Sequence, residues 1–186
     1  PAPPRAIALR LASAGFGYPD AAWRPRFDAL LRAARTSRAV SETGLVRLEK
    51  ALAAIPPAEL EAQHFRLFGP APACALELAF HATKDPFGQA KVIADLAGFY
   101  KAFGGESAER ADGLPAVLEF LAYLEVKKVH AELHGWAEKR DIAVDAAAKL
   151  RTQFAAKSVG VVARKLRAAG APEFYIQLAA LCRALL

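Results

Sequence analysis

Residues 85–124 read DPFGQAKVIADLAGFYKAFGGESAERADGLPAVLEFLAYL, and this stretch decides the fold. Asp85, followed by proline, is a strong helix start, because aspartate caps the first amides and proline suits the first helical turn. The double glycine at 104–105 ends that helix, and Leu114, again followed by proline, starts a second apolar helix. The stretch therefore predicts two helices joined by a charged loop.

The first of these helices is apolar around most of its circumference. Only Lys91, Asp95 and Gly98 form a polar strip along it. Because a helix that is apolar on most sides is usually buried, we expect this helix to lie at the centre of a helical bundle.

The rest of the chain favours helices as well. Apolar residues make up 54% of the 186 residues, and alanine and leucine dominate while β-branched residues are sparse. Ser41 is expected to cap one helix, and Gly135 to kink or split the helix that starts at Leu114 and runs to about Arg140. The sequence therefore predicts an all-α fold in which residues 1–186 form a single domain, a bundle of about eight or nine helices.

Hydropathy and charge restrict the location and class of the protein. No apolar run approaches the roughly 18 residues of a membrane span, and no secretion signal is evident at the N-terminus. We therefore expect a cytoplasmic protein with no stable membrane association. The net charge of +6 keeps one alternative open, an α-helical nucleic-acid-binding regulator. Cys74 and Cys182 are too few and too far apart for a disulfide framework, and we expect both to be small apolar residues.

No convincing catalytic set occurs in the sequence. His130 and His134 share a helix face, a spacing that can hold a metal in a helical metalloenzyme. Ala131, however, replaces the glutamate that the metalloprotease pattern requires, and a solvated pair of histidines is the simpler interpretation. Glu119, which we expect to be partly buried, and Glu125 are six residues apart and lie on different sides of a helix. We therefore predict that the protein is not an enzyme.

Three blocks in a fixed order carry a resemblance to a known family: HFRLFGPAP at 64–72, DPFGQAKVIADLAGFYKAFG at 85–104 and ERADGLPAVLEFLAYL at 109–124. With the closing helix APEFYIQLAALCRALL, they resemble the TorD/DmsD/NarJ family of molybdoenzyme chaperones over about residues 40–186. The resemblance implies a TorD-like all-helical fold and a cytoplasmic, non-catalytic chaperone.

Members of this family bind the N-terminal region of the catalytic subunit of a molybdopterin oxidoreductase, often its twin-arginine signal peptide. The resemblance implies the same partner here, with no nucleic acid bound, and a role in molybdenum cofactor insertion and assembly before export. The client carries the molybdopterin guanine dinucleotide, so we expect no permanently bound cofactor. A monomer or a domain-swapped dimer is expected.

The family's binding residues carry over where its motifs match. Leu67 and Phe68 form its LF pair, Asp112 is its acidic loop residue, Pro115 opens the next helix, and Glu119 is the glutamate of its LEF block.

Two positions depart from the family pattern. Gly113 follows the acidic loop residue where a histidine is common, and His64 stands where an aromatic residue is common. The first departure puts in doubt a role for a loop histidine, although the acidic loop itself remains.

A twin-arginine peptide carries two fixed positive charges before an apolar segment, so its receptor should offer carboxylates beside an apolar groove. We expect an acidic lip made of Glu106, Glu109, Asp112 and Glu119. We expect the groove to be lined by Leu67, Phe68, Phe99, Tyr100, Phe103 and Tyr123. The predicted binding residues are His64, Leu67, Phe68, Glu106, Glu109, Asp112, Pro115, Glu119 and Tyr123.

Structural alternatives to these roles stay open. Phe99, Phe103 and Leu121 are core residues if the apolar helix faces pack on each other. Leu67 and Phe68 are candidates for either core or groove. Asp112 is also placed to cap the helix that begins near Leu114.

Overall fold

The computed structural model describes residues 2–105 and 110–186, and most of these residues are helical. The helices are α1 (Pro4–Gly15), α2 (Trp23–Thr36), α3 (Glu42–Ala53), α4 (Pro57–Phe68), α5 (Ala79–Ala82), α6 (Pro86–Ala102), α7 (Leu114–Leu133), α8 (Ala137–Leu150), α9 (Ala156–Ala168) and α10 (Glu173–Leu185). A short π-helical segment, Arg151–Ala155, joins α8 to α9 without a break and is referred to as the π-turn. With that run counted as one helix, the described residues contain nine helices, which confirms the predicted all-α bundle.

Capping chemistry sets two of the helix starts as the sequence predicts. The Asp85 carboxylate accepts a hydrogen bond from the Gly88 amide at 2.7 Å, and the Ser41 hydroxyl accepts one from the Gly44 amide at 3.2 Å. Each bond satisfies an amide that has no partner within its own helix, so both predicted N-caps are confirmed.

The helix that starts at Leu114 is split at Gly135, which is one of the two outcomes predicted for this glycine. Gly135 adopts a φ of +70°, a left-handed conformation that costs glycine little. The chain turns there, so α7 ends at Leu133 and does not continue to about Arg140.

The central helix of the bundle is α7, and the prediction that α6 is central is wrong. α7 packs along α1 on one side and α8 on the other, whereas only Leu96 and Tyr100 of α6 are buried. The exposed side of α6 includes Ala94, Ala97 and Gly98. Hydropathy counts such residues as apolar, but their small surfaces cost little free energy when exposed.

The aromatic residues of α6 lie at the edge of the core. Phe99 and Phe103 are partly buried and pack edge-on against Phe120, with ring centroids 6.0 and 6.1 Å away. Leu121 is buried, as the core alternative predicts. The face of α7 that carries these contacts is therefore packed rather than open.

Candidate functional site

A cleft of about 980 Å³, referred to as the main cleft, lies among the first, second, fourth and seventh helices. One wall is made of α1, the connection that follows it and the start of α2, and the other is made of α4 and the start of α7. Its apolar lining is Phe16, Trp23, Leu30, Phe68 and Leu76, and its charged lining is Arg10, Asp20, Arg26, Glu77, Arg110 and Glu119. A cleft of this size, with an aromatic floor and charged edges, suits a peptide or another extended ligand.

The aromatic floor is held together by edge-on packing around Phe68. Its ring lies 5.9 Å from Phe16, 5.1 Å from His64 and 5.2 Å from the buried Tyr175, measured between centroids. Because edge-on contacts fix ring orientation, Phe68 is anchored on its core side while it lines the cleft.

His64 contributes a fixed donor to this floor. Its Nε2 lies 3.1 Å from the carbonyl oxygen of Phe16, which accepts a hydrogen bond from the imidazole. Burial lowers the pKa of His64 below its usual value, and the hydrogen bond to Phe16 only partly opposes this effect. The imidazole is therefore neutral near pH 7 and connects α4 to the end of α1.

Asp112 does not form an exposed lip, and that part of the prediction is wrong for this residue. Its side chain is fully buried and accepts hydrogen bonds from the Ala79 amide at 3.2 Å and from two nitrogens of Arg110 at 2.9 and 3.1 Å. Nor does Asp112 cap α7, whose N-cap position is Gly113. A buried carboxylate needs such donors. Here the Arg110 donors are two residues away in the sequence, whereas the Ala79 amide comes from a segment 33 residues away.

The segments before α5 and α7 bring these groups into contact. The Leu78 amide donates to the carbonyl of Asp112 at 2.8 Å, and the Leu114 amide donates to the carbonyl of Leu76 at 2.9 Å. This short antiparallel pairing carries Glu77 and Arg110 to the edge of the main cleft. Asp112 is buried beneath the cleft surface, where its two hydrogen bonds fix the position of the Arg110 guanidinium.

The cleft edge carries both signs of charge. The Arg10 Nε lies 2.8 Å from a carboxylate oxygen of Glu119, and both side chains are about half exposed. Arg26 lies 3.5 Å from Asp20. Among residues 2–105 and 110–186, no hydrogen bond or ion pair reaches the Glu77 carboxylate. In the described residues the cleft edge therefore carries mixed charge in place of an acidic lip. The Glu77 carboxylate has no hydrogen-bonded partner there, while the Arg110 guanidinium lies close enough to interact with it electrostatically.

The predicted binding residues divide among several environments. Four of them line the main cleft: His64, Phe68, Pro115 and Glu119. Leu67 is sealed in the core, so of the LF pair only the phenylalanine is available to a ligand. Glu106 and Glu109 lie outside the described residues.

Tyr123 lies away from the main cleft. Its hydroxyl donates to the carbonyl of Phe103 at 3.0 Å, and its ring packs 5.8 Å from Phe120. The Tyr100 hydroxyl similarly donates to the carbonyl of Ala111 at 2.7 Å. These tyrosines tie α6 to its neighbours, and a role for Tyr123 in binding stays a prediction.

The N-terminal wall of the main cleft is the part that sequence reasoning missed. Arg10, Phe16, Tyr18 and Trp23 come from the first 23 residues, before the region that carries the family resemblance. The aromatic residues on either side of Gly17 were the only sequence signal for this wall. The Ser13 hydroxyl holds it to α7 by donating to the Pro115 carbonyl at 2.9 Å.

The other candidate groups lie outside the main cleft. The His130 and His134 rings pack at a tilt, with centroids 4.2 Å apart. The described residues contain no group of three or more potential metal ligands. Cys74 and Cys182 are buried and unpaired with each other. Burial raises their pKa values, to about 11 for Cys74 and about 12 for Cys182, so both are inert thiols near neutral pH.

Glu119 on α7 is exposed, opposite to the expectation for this residue, whereas Glu125 on the same helix is buried. The Glu125 carboxylate lies 3.3 Å from Arg5, 3.4 Å from Lys128 and 4.0 Å from Arg151. These contacts join α1, α7 and the π-turn, so Glu125 has a structural explanation.

Comparison with known protein families gives one finding. A family model described as nitrate reductase delta subunit matches residues 36–156, almost two thirds of the chain. The match runs from the end of α2 to the start of α9 and includes the α4 and α7 wall of the main cleft. A comparison with curated proteins gives no match. Within the described residues, no helix has the length and apolar character needed to cross a membrane.

Proposed function

This chain belongs to the nitrate reductase delta subunit family, whose members are NarJ/TorD-type chaperones, and we propose that it binds its client in the main cleft. The resemblance to the TorD/DmsD/NarJ family is thereby confirmed. In general terms, the family is associated with maturation of nitrate reductase and not with catalysis. The family gives no support to the alternative of a nucleic-acid-binding regulator.

The client we propose is the N-terminal region of the catalytic subunit of a molybdopterin oxidoreductase, with a twin-arginine leader as its recognised element. The protein would hold that region in the cytoplasm while the molybdenum cofactor is inserted, and before export. The cofactor would belong to the client throughout, because the proposed contacts are all to polypeptide.

The floor of the main cleft supports binding of an apolar segment. Phe68 and Leu76 present apolar surface between two helical walls, with the buried Phe16 beneath them. This arrangement receives one face of an amphipathic helix. The aromatic packing around Phe68 keeps this surface in place before the client arrives, so little ordering is needed on binding.

The edge of the main cleft supports recognition of arginine. A guanidinium donates two parallel hydrogen bonds to a carboxylate, and Glu77 has no such partner among the described residues. Glu119 is already paired with Arg10, so a client arginine there would exchange one ion pair for another. We therefore assign the larger part of the charge recognition to Glu77 in place of Asp112.

Calorimetry with the N-terminal peptide of a molybdopterin oxidoreductase catalytic subunit from the same organism tests this proposal. Glu77→Lys should weaken binding about tenfold or more, since one charge-assisted hydrogen-bonded contact contributes about 1.5–3 kcal/mol. A peptide with both arginines changed to glutamine should bind the wild-type protein more weakly by the same factor. This changed peptide should bind the Glu77→Lys protein and the wild-type protein with equal affinity.

The matched control is Asp145→Lys, the same kind of charge reversal on an exposed face of α8. It should leave the affinity within about twofold of wild type, because screening weakens a distant exposed charge. Equal losses for Glu77→Lys and Asp145→Lys would remove the main cleft from the proposal.

A further inference from the structure

A second concave surface lies between α7 and α8, close to the turn that joins them. This α7–α8 groove has a volume of about 360 Å³ and is lined by Phe103, Lys127, His130, Trp136, Lys139 and Ile142, together with alanines. No residue of the main cleft contributes to it.

The basic side chains of the groove are stacked on aromatic rings. The Lys139 Nζ lies 4.0 Å from the centroid of Trp136, and the Lys127 Nζ lies 5.0 Å from the centroid of Tyr123. These contacts hold each ammonium group over a ring while leaving its outer side open. Tyr123, which the sequence singled out for binding, thus supports a groove lysine.

The lysines of the groove lack acidic partners within residues 2–105 and 110–186. No ion pair there involves Lys127 or Lys139, and no carboxylate lines the groove. Lys128, on the next position of α7, is paired with the buried Glu125. The groove therefore combines two uncompensated positive charges with an apolar floor.

Apolar side chains around the groove are unusually exposed. Of the side chains that line the groove, Ile142 is 51% exposed and Trp136 is 42% exposed. Single exposed apolar residues are ordinary, but two large ones that line the same concave surface indicate a binding surface. Charge and hydropathy thus describe one type of occupant, an apolar group that carries a negative charge.

We propose that the α7–α8 groove binds an acidic segment of a protein partner, with a carboxylate between Lys127 and Lys139 and a neighbouring apolar side chain on Trp136. Exposed Glu132 and Glu138 lie at the same end of the helix pair. The groove therefore suits a single carboxylate placed between the two lysines better than the dense negative charge of a polyphosphate chain or an anionic membrane. This contact is separate from the main cleft and does not depend on what the cleft binds.

Trp136 provides the signal for a test with the intact protein. Trp23 is 4% exposed and Trp136 is 42% exposed, so a ligand in the groove will mainly alter Trp136 emission. The probes are three synthetic amphipathic peptides with the same leucine and phenylalanine positions, carrying glutamate, glutamine or lysine at the polar positions. The glutamate peptide should change the emission and bind in calorimetry, at least about tenfold more tightly than the glutamine peptide.

Lys127→Gln combined with Lys139→Gln should weaken binding of the glutamate peptide about tenfold or more. The control pair, Lys149→Gln with Lys157→Gln, removes two exposed lysines elsewhere and should bind as wild type does. Glu77→Lys should also bind this peptide normally, which separates the groove from the main cleft. Equal binding of the glutamate and glutamine peptides, an equal effect of both lysine pairs, or preference for phosphatidylserine vesicles over the peptide would overturn the proposal.

Discussion

Asp112 and Arg110 form an ion pair of unequal exposure: the carboxylate is fully buried, while the guanidinium side chain is 47% exposed at the main cleft. Two hydrogen bonds of 2.9 and 3.1 Å join them across one intervening residue. The buried partner fixes the position of the exposed one, so the conformation of the loop and the charge at the cleft edge depend on each other.

Asp112→Asn should lower the free energy of unfolding by about 2 kcal/mol, because it replaces charge-assisted hydrogen bonds inside the protein by weaker ones. Urea unfolding measures the change. Asp141→Asn is the control, since that residue forms an exposed pair with Arg140 at 2.7 Å and exposed pairs contribute little. A similar loss in both variants would mean that burial of Asp112 is not what makes its pair important.

Gly69→Ala should destabilise the protein by about 1–3 kcal/mol through steric overlap. A Cβ atom at this position would lie 2.4 Å from the backbone oxygen of Phe65, and neither group can move without unwinding the end of α4. Thermal unfolding followed by circular dichroism measures the loss.

Gly98→Ala is the matched control for this steric effect. Apart from the neighbouring residues and backbone of its own helix, no atom of the described residues lies within 4 Å of a Cβ built at Gly98, which is exposed within α6. The substitution should raise stability by about 0.5–1 kcal/mol, because alanine favours the helix. We expect Gly69→Ala to lower the free energy of unfolding and Gly98→Ala to raise it. A change of the same sign in both variants would contradict this prediction.

The free energy of unfolding should fall as the pH is lowered from 7 to 5, in part because of His64. Folding lowers the pKa of His64 through burial, so the unfolded chain takes up a proton in this range that the folded chain resists. His64→Gln should reduce this pH dependence while its amide still donates to Phe16. His81→Gln should also reduce the pH dependence, because burial lowers the pKa of His81 in the same way. An unchanged pH dependence in both variants would contradict this prediction.

Cys74 and Cys182 should not react with a thiol reagent in the folded protein at pH 8, and both should react in urea. Burial raises their pKa values to about 11 and about 12, so little thiolate forms in the native state. The unfolded chain loses these protons first, so stability should also fall as the pH rises above about 9. Rapid reaction of one thiol per molecule of native protein would contradict this prediction. It would show that the helices around that cysteine open locally.

Local chemistry explains what could be predicted from the sequence. Asp85 and Ser41 act on amides three residues away, and Gly135 acts on its own backbone, so each signal is complete within one turn. The family blocks likewise led to His64, Phe68, Pro115 and Glu119, which lie together in the main cleft. These elements need no knowledge of how distant segments pack.

The features that the sequence did not predict depend on contacts between distant segments of the chain. Asp112 is buried because the chain near Leu78 pairs with its backbone, and no pattern in the acidic loop indicates that pairing. α6 can lie at the periphery, although its sequence is apolar on most sides, because Ala90, Ala94 and Ala97 on its exposed side are small and cost little free energy in water. The N-terminal wall of the main cleft was missed because its residues contribute one at a time from α1, the turn after it and α2.

The contact between α1 and α7 has a consequence for engineering hybrid proteins. Residues 36–156 carry the family match, but the opposite wall of the main cleft lies upstream and meets α7 through Ser13 and Arg10. The Ser13 bond needs only a backbone carbonyl, whereas the Arg10 bond needs the Glu119 side chain. A graft of the matched region from another member would therefore keep the two walls aligned but would preserve their charge match only if the donor has an acidic side chain at position 119.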